Sequence, residues 1–267
     1  MNTVQTGKTT VTLPTYPVGP PNLNPIISPY RSEKPYPYPM RDALGDDKQD
    51  ASYEALTVEN DYLRVTVIPA LGGKLYSALD KRNGQQLFYL NRVVKPQLVG
   101  LTGAWTSGGV EFNFPFGHRP SAMEVIETAV RQNPDGSGSI HIGEVDKVSG
   151  VRFHVELKLT PGKAYLEQTV SIHNPTPLPQ RFFYWNTASY PETEELECRY
   201  PARWIIEEFS RRRQPWPYDG DVDVRMSRNI RKFSSIFTGF TDEDFFGVYD
   251  ARRGVGSVHV ARHREVP

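Results

Sequence analysis

Residues 102–120, which read TGAWTSGGVEFNFPFGHRP, combine the side-chain types that acid–base chemistry on a polar ligand requires. The segment holds the carboxylate Glu111, the imidazole His118, the cation Arg119 and the amide Asn113 beside flat apolar rings. It is too polar for a core strand and too aromatic for a solvated loop. This mixture is typical of a buried site for a sugar.

Opening a sugar ring at its anomeric carbon requires one group that removes the hydroxyl proton and one that protonates the ring oxygen. Glu111 is the candidate base. His118 is the candidate acid, because imidazole titrates near neutral pH. His263 is a second candidate acid. These three residues form the predicted catalytic set.

Five further residues are predicted to bind the substrate. Trp105 and Trp185 could stack on the C–H faces of a pyranose, since their rings are large and flat. Asn113 and Asn186 could each offer a donor and an acceptor to a hydroxyl. Arg119 could place its guanidinium fork on a carboxylate or on two hydroxyls.

Each assignment has a structural alternative. In a strand, Glu111 and Asn113 share one face and the neighbouring Phe residues take the other, which suits a pocket and solvent equally. Glu111 could be a structural carboxylate paired with Arg119. His118 could cap a loop, and Trp185 could belong to the core.

No metal or cofactor site is predicted. His259 and His263 would share a strand face without touching, which does not favour a metal site. The pair Gly108-Gly109 is not a phosphate loop, because no Gly-Lys-Ser/Thr follows it.

Composition narrows the class of protein. The 267 residues carry 31 Lys and Arg against 31 Asp and Glu, so global charge predicts neither a nucleic-acid nor a membrane partner. The single cysteine, Cys198, excludes a disulfide within the chain. No apolar run is long enough to span a membrane, and the N-terminus lacks a secretory h-region. We therefore expect a cytoplasmic protein.

The pattern of the chain predicts an all-β fold, a sandwich or barrel of short strands separated by turn residues. No stretch has a convincing helical period, and residues 203–213 fit a helix or a bent strand equally. The expected strands are 55–58, 62–68, 74–80, 86–90, 139–145, 151–159, 165–174, 181–189, 245–249 and 256–261.

Two regions are expected. Residues 1–50 are rich in Pro and Tyr, which favours an extended arm over the domain surface with a short strand at 9–13. Residues 51–267 form the β-sandwich domain. The chain stops in mid-pattern at residues 263–267, which suggests that it is truncated at the C-terminus.

Several segments carry a resemblance to a known family. Residues 56–89 resemble the opening of galactose-mutarotase-like domains. Residues 95–121, with SGGVEFNFP followed by HRP, are similar to a mutarotase-like family of unknown function often found before tetratricopeptide repeats in bacterial proteins. Further similarity lies at 174–188, 242–250 and 256–267. The chain departs from the family pattern at Gly117, where relatives carry a second His, and at residues 200–202, where they carry an Asp.

The resemblance implies a galactose-mutarotase-like β-supersandwich of mostly antiparallel strands with few or no helices, and a sugar pocket on the concave face of one sheet. It also implies C-terminal helical repeats that this chain lacks. The first hypothesis is a carbohydrate-processing enzyme, aldose epimerase-like or glycoside hydrolase-like, acting on a sugar or oligosaccharide without a cofactor. The alternative is a non-catalytic carbohydrate-binding or scaffold domain of a larger repeat-containing protein.

Overall fold

The computed structural model describes residues 3–23, 37–99, 103–115, 117–231, 235–239 and 241–262. The chain forms two compact units, residues 1–190 and residues 191–267. The division into an arm of residues 1–50 and a domain of residues 51–267 stays a prediction.

The first unit contains thirteen strands among its described residues. In chain order they are β1 (Gln5–Thr15), β2 (Gln49–Glu59), β3 (Leu63–Ile68), β4 (Lys74–Asp80), β5 (Gln85–Gln86), β6 (Gln97–Leu98), β7 (Ala104–Trp105), β8 (Val110–Asn113), β9 (Glu127–Gln132), β10 (Gly138–Val145), β11 (Arg152–Leu159), β12 (Glu167–His173) and β13 (Trp185–Ala188).

Two antiparallel sheets pack face to face in this unit. The large sheet has the order β1-β2-β3-β4-β8-β13, with β5 beside β4, and the small sheet has the order β12-β11-β10-β9. Every second side chain of the central strands enters the core between them, as period-two alternation requires. Both sheets contribute to this core, with Leu56, Val65, Phe112, Ile140 and Phe153 among its members. The unit is therefore a β-sandwich.

The outer face of the large sheet is covered as well. Leu13, Ala55 and Ile68, from β1, β2 and β3, form a second apolar cluster with Leu71 and Val94 from the connections. Polar side chains that share this face can therefore be buried without lying between the sheets.

The second unit contains the strands β14 (Leu196–Arg199), β15 (Trp204–Glu207), β16 (Arg213–Pro215), β17 (Tyr218–Asp219), β18 (Val222–Asp223), β19 (Ile236–Gly239), β20 (Phe245–Asp250) and β21 (Val255–Val260). They form two three-stranded sheets, β14-β20-β21 and β16-β15-β19, and the pair β17-β18.

The predicted all-β class is confirmed. The described residues hold no α-helix and only two 3-10 helices, Pro69–Leu71 and Ser227–Asn229. No helix in this part of the chain is long and apolar enough to cross a membrane. The cytoplasmic location stays a prediction.

Most predicted strands appear close to their expected bounds, and β4 has the predicted residues 74–80. The expected strand at 86–90 is an exception, since β5 ends at Gln86. Beyond it, Leu87 and Phe88 pack on the core while the backbone leaves the ladder. The expected short strand at 9–13 lies within the longer β1, and residues 204–207 are strand rather than helix.

Candidate functional site

The site is built around β8, whose alternation the sequence predicts correctly. Phe112 lies in the core between the sheets, as does Phe114 just after the strand. Glu111 and Asn113 point to the opposite face, yet only 3% and 0% of their surfaces are exposed. That face is therefore polar and covered, rather than polar and solvated.

The glycine pair before β8 allows this strand to approach β4. Gly109 has a φ of +63°, and a Cβ there would lie 1.9 Å from the carbonyl oxygen of Leu75. A Cβ on Gly108 would lie 2.8 Å from Cβ of Asn91. Any side chain at these positions would clash, so the Gly108-Gly109 motif is explained by packing and backbone conformation.

Glu111 and His118 form a hydrogen-bonded pair. Nδ1 of His118 lies 2.9 Å from Oε2 of Glu111. Nδ2 of Asn113 donates to the same oxygen at 3.2 Å and to Oγ1 of Thr187 on β13 at 3.2 Å. The backbone N–H of Arg119 donates to Oδ1 of Asn113 at 3.2 Å, which ties the loop carrying His118 to β8.

The charge of Glu111 determines the tautomer of its partner. Burial raises the pKa of Glu111, but the hydrogen bond from His118, the indole N–H of Trp105 and the charges of His118 and Lys74 together lower it below its ordinary value. Glu111 is therefore ionised at neutral pH and can only accept. Nδ1 of His118 must then carry a proton, which leaves its Nε2 as the nitrogen that can exchange one.

Two tryptophans flank the imidazole. The ring centroid of His118 lies 5.3 Å from that of Trp105 at an angle of 62°, and 5.1 Å from that of Trp185 at 64°. Nε1 of Trp185 donates to the carbonyl oxygen of Gly117 at 3.2 Å, which fixes this ring against the loop. The His118 side chain remains 23% exposed, so the imidazole is accessible between the two rings.

Two buried polar atoms at this site have no hydrogen-bond partner in the described structure. They are Oε1 of Glu111, an acceptor, and Nε1 of Trp105, a donor. The indole N–H lies close enough to lower the pKa of Glu111, although it does not meet the geometry of a hydrogen bond. Both atoms are enclosed by protein, so the accessible polar group of the site is the imidazole of His118.

Lys74 lies on the same face of the sheet, and it is not among the site residues predicted from the sequence. It is 5% exposed, donates to the carbonyl oxygen of Thr106, and lies 5.3 Å from the ring centroid of Trp105. Burial lowers the pKa of Lys74 to about 8, against the opposing field of Glu111. In the sequence, Lys74 is recognisable only as a charged residue that begins a largely apolar strand directly after Gly72-Gly73.

Lys74 and Thr106 also line a small cavity of about 10 Å³, roughly the space of one water molecule, with Leu71, Tyr76, Asn91 and Ser107. Glu111 and His118 are not part of its lining. The candidate site is therefore defined by the contacts around His118 and does not depend on this cavity.

Two predicted substrate-binding residues lie apart from the cluster. The guanidinium of Arg119 is buried, donates to Gly72 and Ser121, and lies 3.5 Å from Glu144. Asn186 pairs in register with Phe112, so it points to the other face of β13. There it accepts from the hydroxyl of Tyr184 at 2.7 Å and donates to Gln168 at 3.2 Å.

The predicted second acid, His263, lies outside the described residues. His259 lies on β21 of the second unit, stacked on Phe246 with centroids 4.8 Å apart. The role of His263 as a second acid stays a prediction. Among the described residues, no group of three or more His, Cys, Asp and Glu is arranged to hold a metal ion.

A solved structure with the same fold comes from a bacterium. The crystal structure of a TPR-domain containing protein from Parabacteroides distasonis ATCC 8503 matches with a TM-score of 0.86 and 22% sequence identity. The match covers 96% of this chain and 44% of that chain, so this chain spans less than half the length of that protein. At this identity the similarity concerns the fold, and both the mutarotase-like assignment and the helical repeats stay predictions.

The family comparison agrees with the predicted resemblance to a family of unknown function. The match extends over residues 31–267, from the N-terminal region to the end of the chain. It includes β8, the His118 loop and both tryptophans of the site. The chain belongs to the family described as Domain of unknown function (DUF5107).

Proposed function

We propose that this protein binds a sugar on the outer face of the large sheet and transfers a proton at its anomeric centre, as a galactose-mutarotase-like enzyme would. Glu111 orients His118, and His118 exchanges the proton through Nε2. Trp105 and Trp185 supply the apolar walls. The second unit has no assigned role in this proposal.

The observation that carries the proposal is an accessible imidazole held by a buried carboxylate between two tryptophans. Nδ1 of His118 lies 2.9 Å from Oε2 of Glu111, and 23% of the His118 side chain is exposed. A sugar hydroxyl could reach this imidazole while its C–H face packs on an indole.

In this proposal the imidazole of His118 fills both roles that ring opening requires, first as the base and then as the acid. His118 takes the proton of the anomeric hydroxyl while the bond from the anomeric carbon to the ring oxygen breaks and a carbonyl forms. The ring oxygen receives the proton from the imidazolium. Both oxygens are attached to the same carbon before the ring opens, so one imidazole can serve both. The ionised Glu111 stabilises the imidazolium between these steps.

Cleavage of a glycosidic bond is supported less well than proton transfer. It would require a second carboxyl group roughly 5–10 Å from Glu111. The charges that set the pKa of Glu111 come from His118 and Lys74.

The test compares Glu111→Gln with the wild type and with Glu156→Gln, a carboxylate on the outer face of the small sheet. Anomer interconversion of D-glucose and D-galactose is followed by NMR, and binding by calorimetry. We expect Glu111→Gln to bind sugar within a few-fold of wild type and to lose at least about 100-fold in rate. Glu156→Gln should change neither.

Three results would count against this function. Wild-type protein that binds neither sugar contradicts the site. Binding without interconversion above the spontaneous rate removes the catalytic step and favours the non-catalytic binding domain. Equal rates for Glu111→Gln and wild type remove Glu111 from the mechanism.

A further inference from the structure

The segment before β13 presents alternate aromatic rings to opposite faces of the sheet. Phe182 lies 5.9 Å from the core residue Phe114, measured between ring centroids, and Tyr184 packs against the core. Trp185 pairs in register with Asn113 and so lies on the outer face with Glu111, and the ring of Phe183 lies beside that of Trp185. The backbone N–H of Phe183 donates to the carbonyl oxygen of Pro115 at 2.6 Å, which holds the segment beside the end of β8.

Phe183 extends the row of rings at the site. Its centroid lies 6.3 Å from that of Trp185, and the two planes are within 26° of parallel. Trp185 in turn lies 5.1 Å from His118, and His118 lies 5.3 Å from Trp105. Four aromatic rings thus follow one another with spacings of 5.1–6.3 Å.

Phe183 contributes little to the core of its unit, because 56% of its surface is exposed. The exposed ring of Phe183 and the half-buried ring of Trp185 together form an apolar surface, called the platform below. Bonds of about 1.5 Å place the centres of two linked pyranose rings about 5 Å apart. The spacing of the rings therefore resembles that of successive sugars in a chain.

We infer that Phe183 and Trp185 form a second sugar subsite, so that the ligand is an oligosaccharide of at least two residues. One sugar lies at the Glu111–His118 pair, and the next packs on the platform of Phe183 and Trp185. This inference rests on the proposed function and names the substrate class of the same site. A neutral ligand is favoured over nucleic acid, since the chain has no net charge.

The experiment uses Phe183→Leu and the matched control Phe182→Leu. Phe182 is the neighbouring residue with a similar exposure of 52%, but it is directed to the other face. Binding of D-glucose, D-galactose, cellobiose, maltose and lactose is measured by calorimetry at pH 7. Thermal unfolding of each variant checks that it is folded.

We expect wild-type protein to bind one of the disaccharides more tightly than either monosaccharide. Phe183→Leu should lower the affinity for that disaccharide roughly three- to tenfold, which is the effect of losing one aromatic contact. It should leave monosaccharide affinity unchanged. Phe182→Leu should leave both affinities unchanged.

The failures of the two proposals are distinguishable. If wild type binds no sugar of the panel, both proposals fail. If it binds monosaccharides and Phe183→Leu has no effect on any disaccharide, the second subsite is wrong and the proposed function stands. Equal loss for mono- and disaccharides, or an equal loss in Phe182→Leu, also overturns the second subsite.

Discussion

Charged side chains are buried to different depths on the outer faces of the two sheets in the first unit. On the large sheet, Glu111 and Lys74 are 3% and 5% exposed, beneath the connections before and after β8 that carry Thr106 and His118. On the small sheet, His154, Glu156 and Lys158 of β11 are half-buried. The strands have the same alternation, so the difference lies in what covers each face.

This difference shows which polar residues need a special explanation. A half-buried charge on an open sheet keeps much of its hydration and contributes little either way. A fully covered charge loses its hydration and needs partners within the protein. Glu111 has His118 and Asn113 at one oxygen and no hydrogen-bond partner at the other in the described residues. The covered face is therefore where a function is expected.

The largest expected effect comes from removing a covered carboxylate. Glu111→Leu leaves the Nδ1 proton of His118 and the amide of Asn113 without their acceptor, and Lys74 without its opposite charge. We expect a loss of about 2–4 kcal/mol in the free energy of unfolding. Glu156→Leu on the outer face of the small sheet should cost less, about 1–2 kcal/mol, because it removes only the acceptor of the Ser139 hydroxyl, which keeps Asn133 as a partner. Urea unfolding of both variants measures the contrast, and equal losses would abolish the distinction between the faces.

The buried Lys74 is expected to make the free energy of unfolding depend on pH. Its pKa is about 8 in the native state against an ordinary value of 10.5. Below pH 8 both states hold the proton, and the native state bears the full cost of the buried charge. Between pH 8 and 10.5 the unfolded chain binds more protons, so native stability rises with pH, by up to about 3 kcal/mol in total.

Comparison of wild type with Lys74→Met isolates this contribution. The difference in unfolding free energy between the two proteins should change in favour of the wild type as pH rises from 8 to 10.5. Urea unfolding at closely spaced pH values gives the curve. A difference that stays constant over this range would mean that Lys74 titrates normally and is not desolvated.

The smallest expected effect on stability comes from His141, on the outer face of the small sheet. Nδ1 of His141 lies 3.0 Å from Nε2 of His154, so at least one facing nitrogen must be unprotonated. Burial lowers the pKa of His141, with smaller contributions in the same direction from His154 and Arg131 and an opposing one from Glu156. NMR titration should place its pKa below 6.5, and His154→Gln should raise it.

Because the pKa of His141 is lowered in the native state, the stability of the protein depends on pH. As pH falls below about 6.5 the unfolded chain takes up the proton first, so stability decreases. The loss should be only a few tenths of a kcal/mol, because the ring is partly exposed. A pKa at or above 6.5 would contradict the assignment of His141 to a desolvated position.

Prediction from sequence worked best where one local rule governs the outcome. Alternation along β8 separates Glu111 from Phe112, and turn residues bound β4 and β10. Where tertiary contacts decide, the sequence does not give the surroundings of a side chain, and the ligand contacts predicted for Asn186 and Arg119 stay predictions. Asn186 is an amide near the site in sequence, yet its partner Phe112 places it on the core side. Arg119 was expected to meet a ligand, but its guanidinium is buried beside Gly72 and Glu144.

By itself the sequence determined the all-β class, most strand positions and the face on which Glu111 and Asn113 lie, because these depend on spacing within a single strand. Only the tertiary structure brought His118 between Trp105 and Trp185 and buried Lys74 beneath the same connections. Those contacts join segments far apart in the chain, and burial depends on which loops cover a face. Hydrogen bonding and desolvation, and hence the chemistry of Glu111 and His118, follow from that cover.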